Sequence, residues 1–414
     1  MLRHLRDAVV LLTGETDPKD TSLRTRWGLA VAIGTVSVSA VLYVVCRLRW
    51  IQNVFLQDSC AVALVSCLAT WALVPVAGKL AWALGAVDRP GGRRIHRVAT
   101  PRLGGAAVFG GVCIAALLVH RTLASMTILI AASGLVFVVS LVDDVRGTPA
   151  WVRLAVQVGA CLVLIAGGLR VSILPASLWG DLLEYLVTIV WLVGIANAVN
   201  FLDGMNGLVP GLTAITSGVF GVLALRLGQH SLAFCAVALS GAQLAFLGFN
   251  IKPARMFLGD CGSITSGFFM AGLAIMGNWS PADVWVSSLV PVLVLSVPIY
   301  DMIFTTVSRV SSGKVTTVRE WLEYTGRDHI HHRLNRLGLS RAQTVVVIWF
   351  LNTVVALSSV PVIESHGNRL IGLVAVTQAS CTYLIFALLE TLGLRKHAPA
   401  QANADQTQDD GPGH

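Results

Sequence analysis

The sequence predicts an all-α protein built as a polytopic transmembrane bundle, and its composition and patterning support this prediction. Apolar residues make up 55% of the 414 positions and charged residues only 13%, whereas about a quarter of the residues in a soluble domain are charged. Mean hydropathy is +0.73. Runs of roughly 20 apolar residues, long enough to cross a bilayer as a helix, recur along the chain and predict about 11–12 spans.

Twelve apolar stretches are candidate spans: 27–46, 60–86, 103–119, 123–142, 151–169, 182–201, 207–225, 231–249, 262–277, 284–308, 343–363 and 370–390. The first is longer than the core of a signal peptide and no small-residue cleavage site follows it, so we expect it to be retained. The predicted organisation is an N-terminal cytoplasmic segment with an extra transmembrane helix (1–59), a polytopic domain (60–390) and a disordered cytoplasmic tail (391–414).

The distribution of Lys and Arg predicts the orientation. If the N-terminus is cytoplasmic, 22 of these residues fall on the inner side and six on the outer side. By the positive-inside rule, both termini are therefore expected in the cytoplasm. The net charge of +8 is explained first by this topology, and the lipid bilayer rather than nucleic acid is the expected partner.

Five polar stretches interrupt the apolar pattern. They are DRPGGRRIHRVATPRLGG (88–105), VDDVRGTPAWVRLAVQ (142–157), NAVNFLDGMNGL (197–208), NIKPARMFLGDCGS (250–263) and GRDHIHHRL (326–334). Counting the spans places all five on the cytoplasmic side. A single active site needs its parts on one face, so the sequence predicts an active site at the cytoplasmic face of the bundle.

The third stretch carries a polar stripe. Asn197, Asn200, Asp203 and Asn206 recur every three residues, so on a helix they lie on one gently drifting face. Amide and carboxylate oxygens suit Mg²⁺, and amides can also bind a base edge. The alternative is an ordinary helix end whose amides bond to neighbouring helices.

The fourth and fifth stretches suggest anion binding. Asp260 lies between two glycines, close to Phe257 and to basic residues, which is typical of a nucleotide phosphate site or of a simple helix cap. His329, His331 and His332 lie beside Arg333; imidazoles and guanidinium groups favour a diphosphate, with a solvated basic loop or a zinc site as alternatives.

Two further features are ambiguous by themselves. The basic residues of 88–105, among them Arg94 and His96, are explained by topology alone, and Asp301 is a polar break in the span 284–308. The adjacent carboxylates Asp143 and Asp144 end an apolar run, where charge is costly. Crowding them would raise at least one pKa, as expected of a catalytic base, and only one of the two would face the reactants on a helix.

In this order the motifs resemble those of the polyprenyl-phosphate N-acetylhexosamine-1-phosphate transferases, of the glycosyltransferase 4 type. The likeness covers about 60–390 and includes D-x-P-x-x-R-x-x-H…P-R-x-G-G, the Asp pair, N-A-x-N-x-x-D-G-x-x-G, F-x-G-D-x-G-S and H-I-H-H-R-L. The last motif looks like the branch that transfers GlcNAc-1-phosphate rather than the branch with a MurNAc-pentapeptide donor. At Asn206 the chain departs from the Asp that bacterial members commonly have.

The resemblance implies Mg²⁺-dependent (or Mn²⁺-dependent) transfer of a HexNAc-1-phosphate, foremost GlcNAc-1-phosphate, from a UDP-sugar to undecaprenyl phosphate, with release of UMP. This would start a lipid-linked glycan of the cell envelope. It implies catalytic roles for Asp143, Asp144, Asp203, His329 and His332, metal ligands at Asn200 and Asp260, and substrate contacts from Asn197, Asn206, Asn250, Phe257, Arg94, His96, Arg153 and Arg333.

Several alternatives stay open at this stage. The donor can be another UDP-HexNAc or UDP-MurNAc-pentapeptide, attack can be direct or pass through an aspartyl-phosphate, and the protein can be a monomer or a homodimer. An ion-coupled transporter also carries intramembrane Asp and Asn, but its site tends to lie near the midplane between inverted repeats. A lipid-alcohol phosphotransferase of the D-G-x-x-A-R type would need a second Asp array after Asp203, which the sequence lacks.

Overall fold

The structure, a computed structural model, describes residues 54–88, 99–118, 124–251, 253–280, 283–317, 326, 328–365, 368–384 and 387. The described chain is almost entirely helical, with one two-stranded sheet, which confirms the all-α prediction. The predicted first span, the C-terminal tail, Arg94 and His96 lie outside the described residues.

The secondary-structure elements follow the predicted spans closely. They are α1 (Val54–Leu84), β1 (Val87–Asp88), β2 (Thr100–Pro101), α2 (Gly104–Leu118), α3 (Ala124–Arg146), α4 (Ala150–Ala166), α5 (Leu178–Leu202), α6 (Leu208–Arg226), α7 (His230–Asn250), α8 (Asp260–Met276), α9 (Val284–Val294), α10 (Ser296–Ser311), α11 (Ile330–Arg336), α12 (Arg341–Leu357) and α13 (Ser359–Glu364). A last helix, α14, covers 369–384.

The described helices include fewer full-length spans than the sequence predicts. Six segments are long and apolar enough to cross a membrane, and a bent pair of helices adds a seventh if it counts as one span. Helices α2, α4 and α8 are shorter, at 15 to 17 residues. At 1.5 Å per residue, 17 residues reach only about 26 Å, less than the ~30 Å of the hydrocarbon core.

The predicted span 284–308 is not straight. Helices α9 and α10 meet at an angle of 80°, with Leu295 between them. Pro291 lies inside α9 and Pro298 lies in the first turn of α10. Proline has no backbone N–H, and its ring clashes with the carbonyl one turn earlier. Two prolines about two helical turns apart, one on each side of Leu295, therefore explain the break.

Helix α8 lies at the centre of the bundle. Its residues from Cys261 to Ala274 are all buried. Helices α2 and α8 cross so closely that their backbones touch: a Cβ built on Gly105 would overlap the backbone nitrogen of Gly262. Small residues allow such close approach between helices in a membrane. The N-termini of α2 and α8 are thereby fixed next to each other.

A short hairpin fixes the approach to α8. Strands β1 and β2 pair antiparallel, with Asp88 opposite Thr100. The segment before α8 continues this pairing, since the Phe257 N–H donates to the Pro101 carbonyl (2.8 Å) and the Gly105 N–H donates to the Leu258 carbonyl (2.8 Å). Residues far apart in sequence are thus held side by side at one end of the bundle.

Candidate functional site

A cavity of about 960 Å³ opens at that end of the bundle. Its lining is drawn from four of the five polar stretches, from the end of α11 and from the start of α12. The lining residues are Asp88, Arg102, Asn200, Asp203, Gly204, Met205, Asn206, Asn250, Phe257, Leu258, Gly259, Asp260, His332, Asn335, Arg336 and Arg341. The remaining stretch, 142–157, contributes no lining residue. It connects to the cavity through the hydrogen bonds that join Asp144 and Arg153 to Asp260. All five stretches therefore meet at one place.

Asp144 caps the N-terminus of α8. Its carboxylate accepts the backbone N–H groups of Asp260 (3.1 Å) and Cys261 (2.8 Å), and its side chain is only 1% exposed. The first N–H groups of a helix have no partner within the helix and carry partial positive charge, so a carboxylate stabilises them. Asp144 thus lies beneath Asp260 and orients it, and it does not line the cavity.

Gly259 makes this arrangement possible. Its φ is +74°, and a Cβ there would overlap the carbonyl oxygen of Arg102 and lie 2.7 Å from the Asp144 carboxylate. Only glycine fits both the backbone conformation and the space. The glycine before Asp260 in the F-x-G-D motif is explained by this contact.

Asp143 has different partners from Asp144. One carboxylate oxygen accepts the Thr148 backbone N–H (2.5 Å) and hydroxyl (2.7 Å), and the other accepts Arg153 Nη1 at 2.6 Å. The same Arg153 nitrogen lies 3.1 Å from Asp260 Oδ2. Asp143 therefore acts on the cavity through Arg153 and Asp260, while its neighbour holds the helix end.

Asn200, Asp203 and Asp260 form an oxygen-rich wall of the cavity. The Ser263 hydroxyl donates to Asn200 Oδ1 at 2.7 Å, which ties α5 to α8. Asp203 follows the last residue of α5. Burial, and then repulsion by the carboxylates of Asp260 and Asp144, raises the pKa of Asp203 well above its usual value, and Arg102 opposes this only in part.

This wall fits a hard divalent cation that is shared with a phosphate. No cluster of three or more His, Cys, Asp or Glu suited to a metal ion occurs within the described ranges. Mg²⁺, however, is usually bound by one or two carboxylates together with waters and substrate phosphates. Asp260 and the amide oxygen of Asn200 supply that donor set, and Asp203 lines the cavity with them.

Two predicted substrate residues have structural partners. Asn250 accepts the Gly207 N–H (2.6 Å) and donates to the Met256 carbonyl (2.9 Å), so it joins the loop after α5 to the loop before α8 while touching the cavity. Asn197 donates to Gln157 Oε1 and to the Val193 carbonyl, both at 2.8 Å. The structure does not bring Asn197 to the cavity; it links α5 to α4. Asn206 and Phe257 do line it.

The histidine motif at α11 contains residues that line the cavity and residues that are buried in the protein. His332, Asn335 and Arg336 line the cavity, as expected for positions three and four apart on one helical face. His329, which caps the N-terminus of α11, and Arg333 are buried and do not line the cavity. The motif therefore presents one histidine to the cavity and uses another for packing.

Asp301 organises the buried side of α11. It is 2% exposed; its carboxylate pairs with His329 Nδ1 at 2.7 Å and accepts the Ile330 N–H at 2.6 Å. Arg309 donates two hydrogen bonds of 2.7 Å to Asp328. Burial alone would raise the pKa of Asp328, but this pairing outweighs it and holds the pKa below its usual value. The polar break in the bent pair α9–α10 thus fixes the start of α11.

His331 packs against the loop after α5. It is 1% exposed, and a Cβ built on Gly204 would overlap its Nε2 atom. Burial, and then the nearby groups of His332, His329 and Arg333, lowers its pKa to about 3, so His331 is neutral at physiological pH. Gly204 in the N-x-x-D-G motif is required by this contact.

Some cavity residues do not stand out from the sequence alone. Arg336 and Arg341 lie in a basic segment whose charge is already explained by topology. The signals that identify them are the helical spacing from His332 and the S-x-x-Q capping box at Ser340, which marks the start of α12.

Comparisons with known proteins show which proteins the chain is similar to. The family model described as glycosyl transferase family 4 matches residues 126–278. A probable undecaprenyl-phosphate N-acetylglucosaminyl 1-phosphate transferase of Bacillus subtilis is 30% identical over 304 residues, which is 72% of this chain and 83% of the relative. A decaprenyl-phosphate N-acetylglucosaminephosphotransferase of Mycobacterium tuberculosis is 30% identical over 73% of this chain and 81% of its own length. A phospho-N-acetylmuramoyl-pentapeptide-transferase of Levilactobacillus brevis is 30% identical over 64% of this chain and 84% of its own.

Proposed function

The chain belongs to the polyprenyl-phosphate N-acetylhexosamine-1-phosphate transferases, which are membrane phosphotransferases, and from this premise we propose its reaction. It transfers a HexNAc-1-phosphate, foremost GlcNAc-1-phosphate, from a UDP-sugar to undecaprenyl phosphate. UMP is released, and the product starts a lipid-linked glycan of the cell envelope, such as an O-antigen or a teichoic acid. The reaction takes place at the cytoplasmic face of a bacterial inner membrane.

The observation that carries this proposal is the cavity where all five polar stretches meet. Its volume of about 960 Å³ is at the upper end of the range for small-molecule sites, which suits a nucleotide sugar together with a phosphate headgroup. Carboxylate and amide oxygens form one wall, and arginines and a histidine contribute to the lining. This is the arrangement that phosphoryl transfer needs, because positioning and charge neutralisation account for most of the catalysis.

Mg²⁺ fits the oxygen-rich wall at Asp260 and Asn200, and Mn²⁺ has the same ligand preferences. When bound, the cation neutralises charge on the donor diphosphate. Asp144 and Arg153 hold Asp260 in position for this task. The residues supply the binding geometry before the substrates arrive.

The acceptor needs only modest activation. The second pKa of a phosphate monoester is about 6, so the lipid phosphate is largely a dianion at neutral pH. Asp203, with its raised pKa, can hold a proton beside the incoming phosphoryl group. Asn206 and Phe257 line the cavity with an amide and an aromatic face, which suit the uracil edge and its ring.

The donor sugar is assigned from the histidine motif. The HIHHRL form resembles the GlcNAc-1-phosphate branch, and the Bacillus subtilis relative carries that activity in its name. UDP-MurNAc-pentapeptide is the second candidate, because a relative named for the pentapeptide transfer is equally 30% identical, although over a shorter part of the chain.

A donor panel tests the proposal. Purified protein in detergent is given undecaprenyl phosphate, Mg²⁺ and UDP-GlcNAc, UDP-GalNAc or UDP-MurNAc-pentapeptide, and UMP release is measured. We expect release with UDP-GlcNAc, dependence on Mg²⁺, and loss of release in Asp260→Asn. No UMP from any donor, with the protein folded, would refute the proposed function, and ion flux in proteoliposomes would favour a transporter.

A further inference from the structure

The cavity wall formed by α11 and α12 carries two arginines that the proposed catalytic residues do not include. Arg336 ends α11 and Arg341 begins α12, and both line the cavity. Throughout the described ranges, neither guanidinium group forms an ion pair or a hydrogen bond. Arg102 also lines the cavity, but it lies 3.7 Å from the Asp144 carboxylate. Two cations therefore face the cavity without a protein anion beside them.

The turn between α11 and α12 holds these arginines in a fixed relation. The Gly338 N–H donates to the Asn335 carbonyl (3.0 Å), and Gly338 has a φ of +93°. Ser340 and Gln343 form a capping box at the start of α12. The Thr344 hydroxyl donates to Asn335 Oδ1 at 3.2 Å. This rigid corner places both side chains on the wall before a ligand binds.

Charge balance shows what these arginines meet. Three arginines and three aspartates line the cavity, so their formal charges cancel. The proposed reaction, on which this inference rests, brings in a diphosphate with about two negative charges and a phosphate monoester with ~1.5–2. One divalent cation offsets only about half of that total. The remaining negative charge needs cations that are not already paired.

We propose that Arg336 and Arg341 form a phosphoryl-binding subsite on the wall contributed by α11 and α12. Their planar guanidinium groups donate hydrogen bonds to phosphate oxygens in the paired geometry that arginine favours. His332 lies one turn before Arg336 on the same face and completes the wall. The phosphoryl group belongs either to the donor diphosphate or to the lipid phosphate, and the two share this chemistry.

The test compares Arg336→Gln, Arg341→Gln and the double variant with Lys314→Gln as a matched control. Lys314 is exposed, is predicted on the same side of the membrane, and does not line the cavity. The first measurement is calorimetric titration of inorganic pyrophosphate into detergent-purified protein at several KCl concentrations. A hydrogen bond to a charged group corresponds to roughly tenfold or more in affinity. We expect each variant to raise the pyrophosphate Kd by about that factor and to flatten its salt dependence.

The second measurement separates the two sources of the phosphoryl group. A higher KM for the UDP-sugar alone assigns the subsite to the donor diphosphate, and a higher KM for undecaprenyl phosphate alone assigns it to the lipid. If the double Gln variant aggregates, the double Lys variant, which keeps the charge but loses the fork, should weaken pyrophosphate binding several-fold. Pyrophosphate affinity equal to that of Lys314→Gln would overturn the proposal. Because pyrophosphate binding does not need turnover, absence of UMP release from the wild type would refute the proposed function separately.

Discussion

Exchanging Asp144 for Asn tests the cap on α8. The carboxylate accepts two backbone N–H groups with separate oxygens, at 3.1 and 2.8 Å. An Asn side chain has one acceptor oxygen, and its NH₂ group would face the other N–H. The variant therefore loses one hydrogen bond to a charged acceptor, ~1.5–3 kcal/mol, and the favourable interaction with the helix N-terminus, ~0.3–2 kcal/mol. We expect a destabilisation of about 2–5 kcal/mol.

Asp143→Asn is the matched comparison, because it removes the neighbouring negative charge. Asp143 is bound by Thr148 and Arg153, and an Asn oxygen can still accept from Thr148. We expect this variant to lose less stability than Asp144→Asn, because Arg153 is partly exposed and keeps Asp260 as a partner. It should lose kcat rather than donor affinity, since Arg153 is no longer held between two carboxylates. Asp144→Asn should lose kcat as well, together with stability.

The assay has two parts. Size-exclusion chromatography after heating in detergent gives the melting temperature, and UMP release at saturating substrate concentrations gives kcat. The melting temperature should be highest for the wild type, somewhat lower for Asp143→Asn and clearly lowest for Asp144→Asn. If Asp144→Asn melts with the wild type while Asp143→Asn unfolds, the assignment of the helix cap to Asp144 is wrong.

Four further predictions follow from the same geometry. Asp260→Asn and Asn200→Ala should each abolish activity at ordinary Mg²⁺ concentration without unfolding the protein, and full activity of either at sub-millimolar Mg²⁺ would show that these are not ligands. Asn206→Asp should stay within about tenfold of wild-type kcat/KM. Asn206→Ala should raise the KM for the UDP-sugar by a factor that corresponds to ~1–3 kcal/mol of binding free energy, and it should leave the KM for the lipid phosphate unchanged. A cysteine at Ser312 should react with a membrane-impermeant thiol reagent only after the cells are opened, and labelling from outside would contradict the predicted orientation. Without Mg²⁺, the raised pKa of Asp203 makes the free energy of unfolding fall as the pH rises through that pKa. Asp203→Asn should remove this fall from a plot of melting temperature against pH, and an unchanged plot would refute the raised pKa of Asp203.

Much of the site was predictable because its parts lie in short, ordered motifs. Asn200, Asp203 and Asn206 of the polar stripe and Asp260 between its glycines all line the cavity. Asn197 of the same stripe does not, because it bonds to Gln157. The order of the motifs identified these residues, whereas helical periodicity did not place all of them, because α5 ends at Leu202 and both Asp203 and Asn206 lie in the turn after it. Their roles as ligands or catalytic groups stay predictions.

The local sequence did not show which histidine of the motif lines the cavity. Spacing alone leaves open whether this is His329 or His332, and the contacts of Asp301, on a distant helix, with His329 and Ile330 decide it. The cap that Asp144 forms on α8 is likewise a contact between residues 116 and 117 positions apart. Tertiary partners of this kind decide which polar residue touches the cavity and which supports it.

Among the described residues, fewer helices have the length of a full span than the sequence predicts, for a related reason. Hydropathy identifies apolar helices but does not separate a helix that crosses the bilayer from one that is short and enclosed by other helices, such as α8. It also does not show that the apolar run 284–308 turns by 80°. Proline positions indicate where a break can occur, and packing decides its angle.

The contact between α2 and α8 has a consequence for how sequence variation in this protein should be interpreted. Gly105 and Gly262 meet backbone to backbone, and a Cβ on either one would overlap its surroundings. Replacing both glycines adds two methyl groups to one place, so a second substitution cannot rescue the first. In a saturation-mutagenesis screen these two positions should be as intolerant as Asp260, although neither glycine lines the cavity. Intolerance to substitution in this region therefore reports the closeness of two helices as strongly as it reports chemistry.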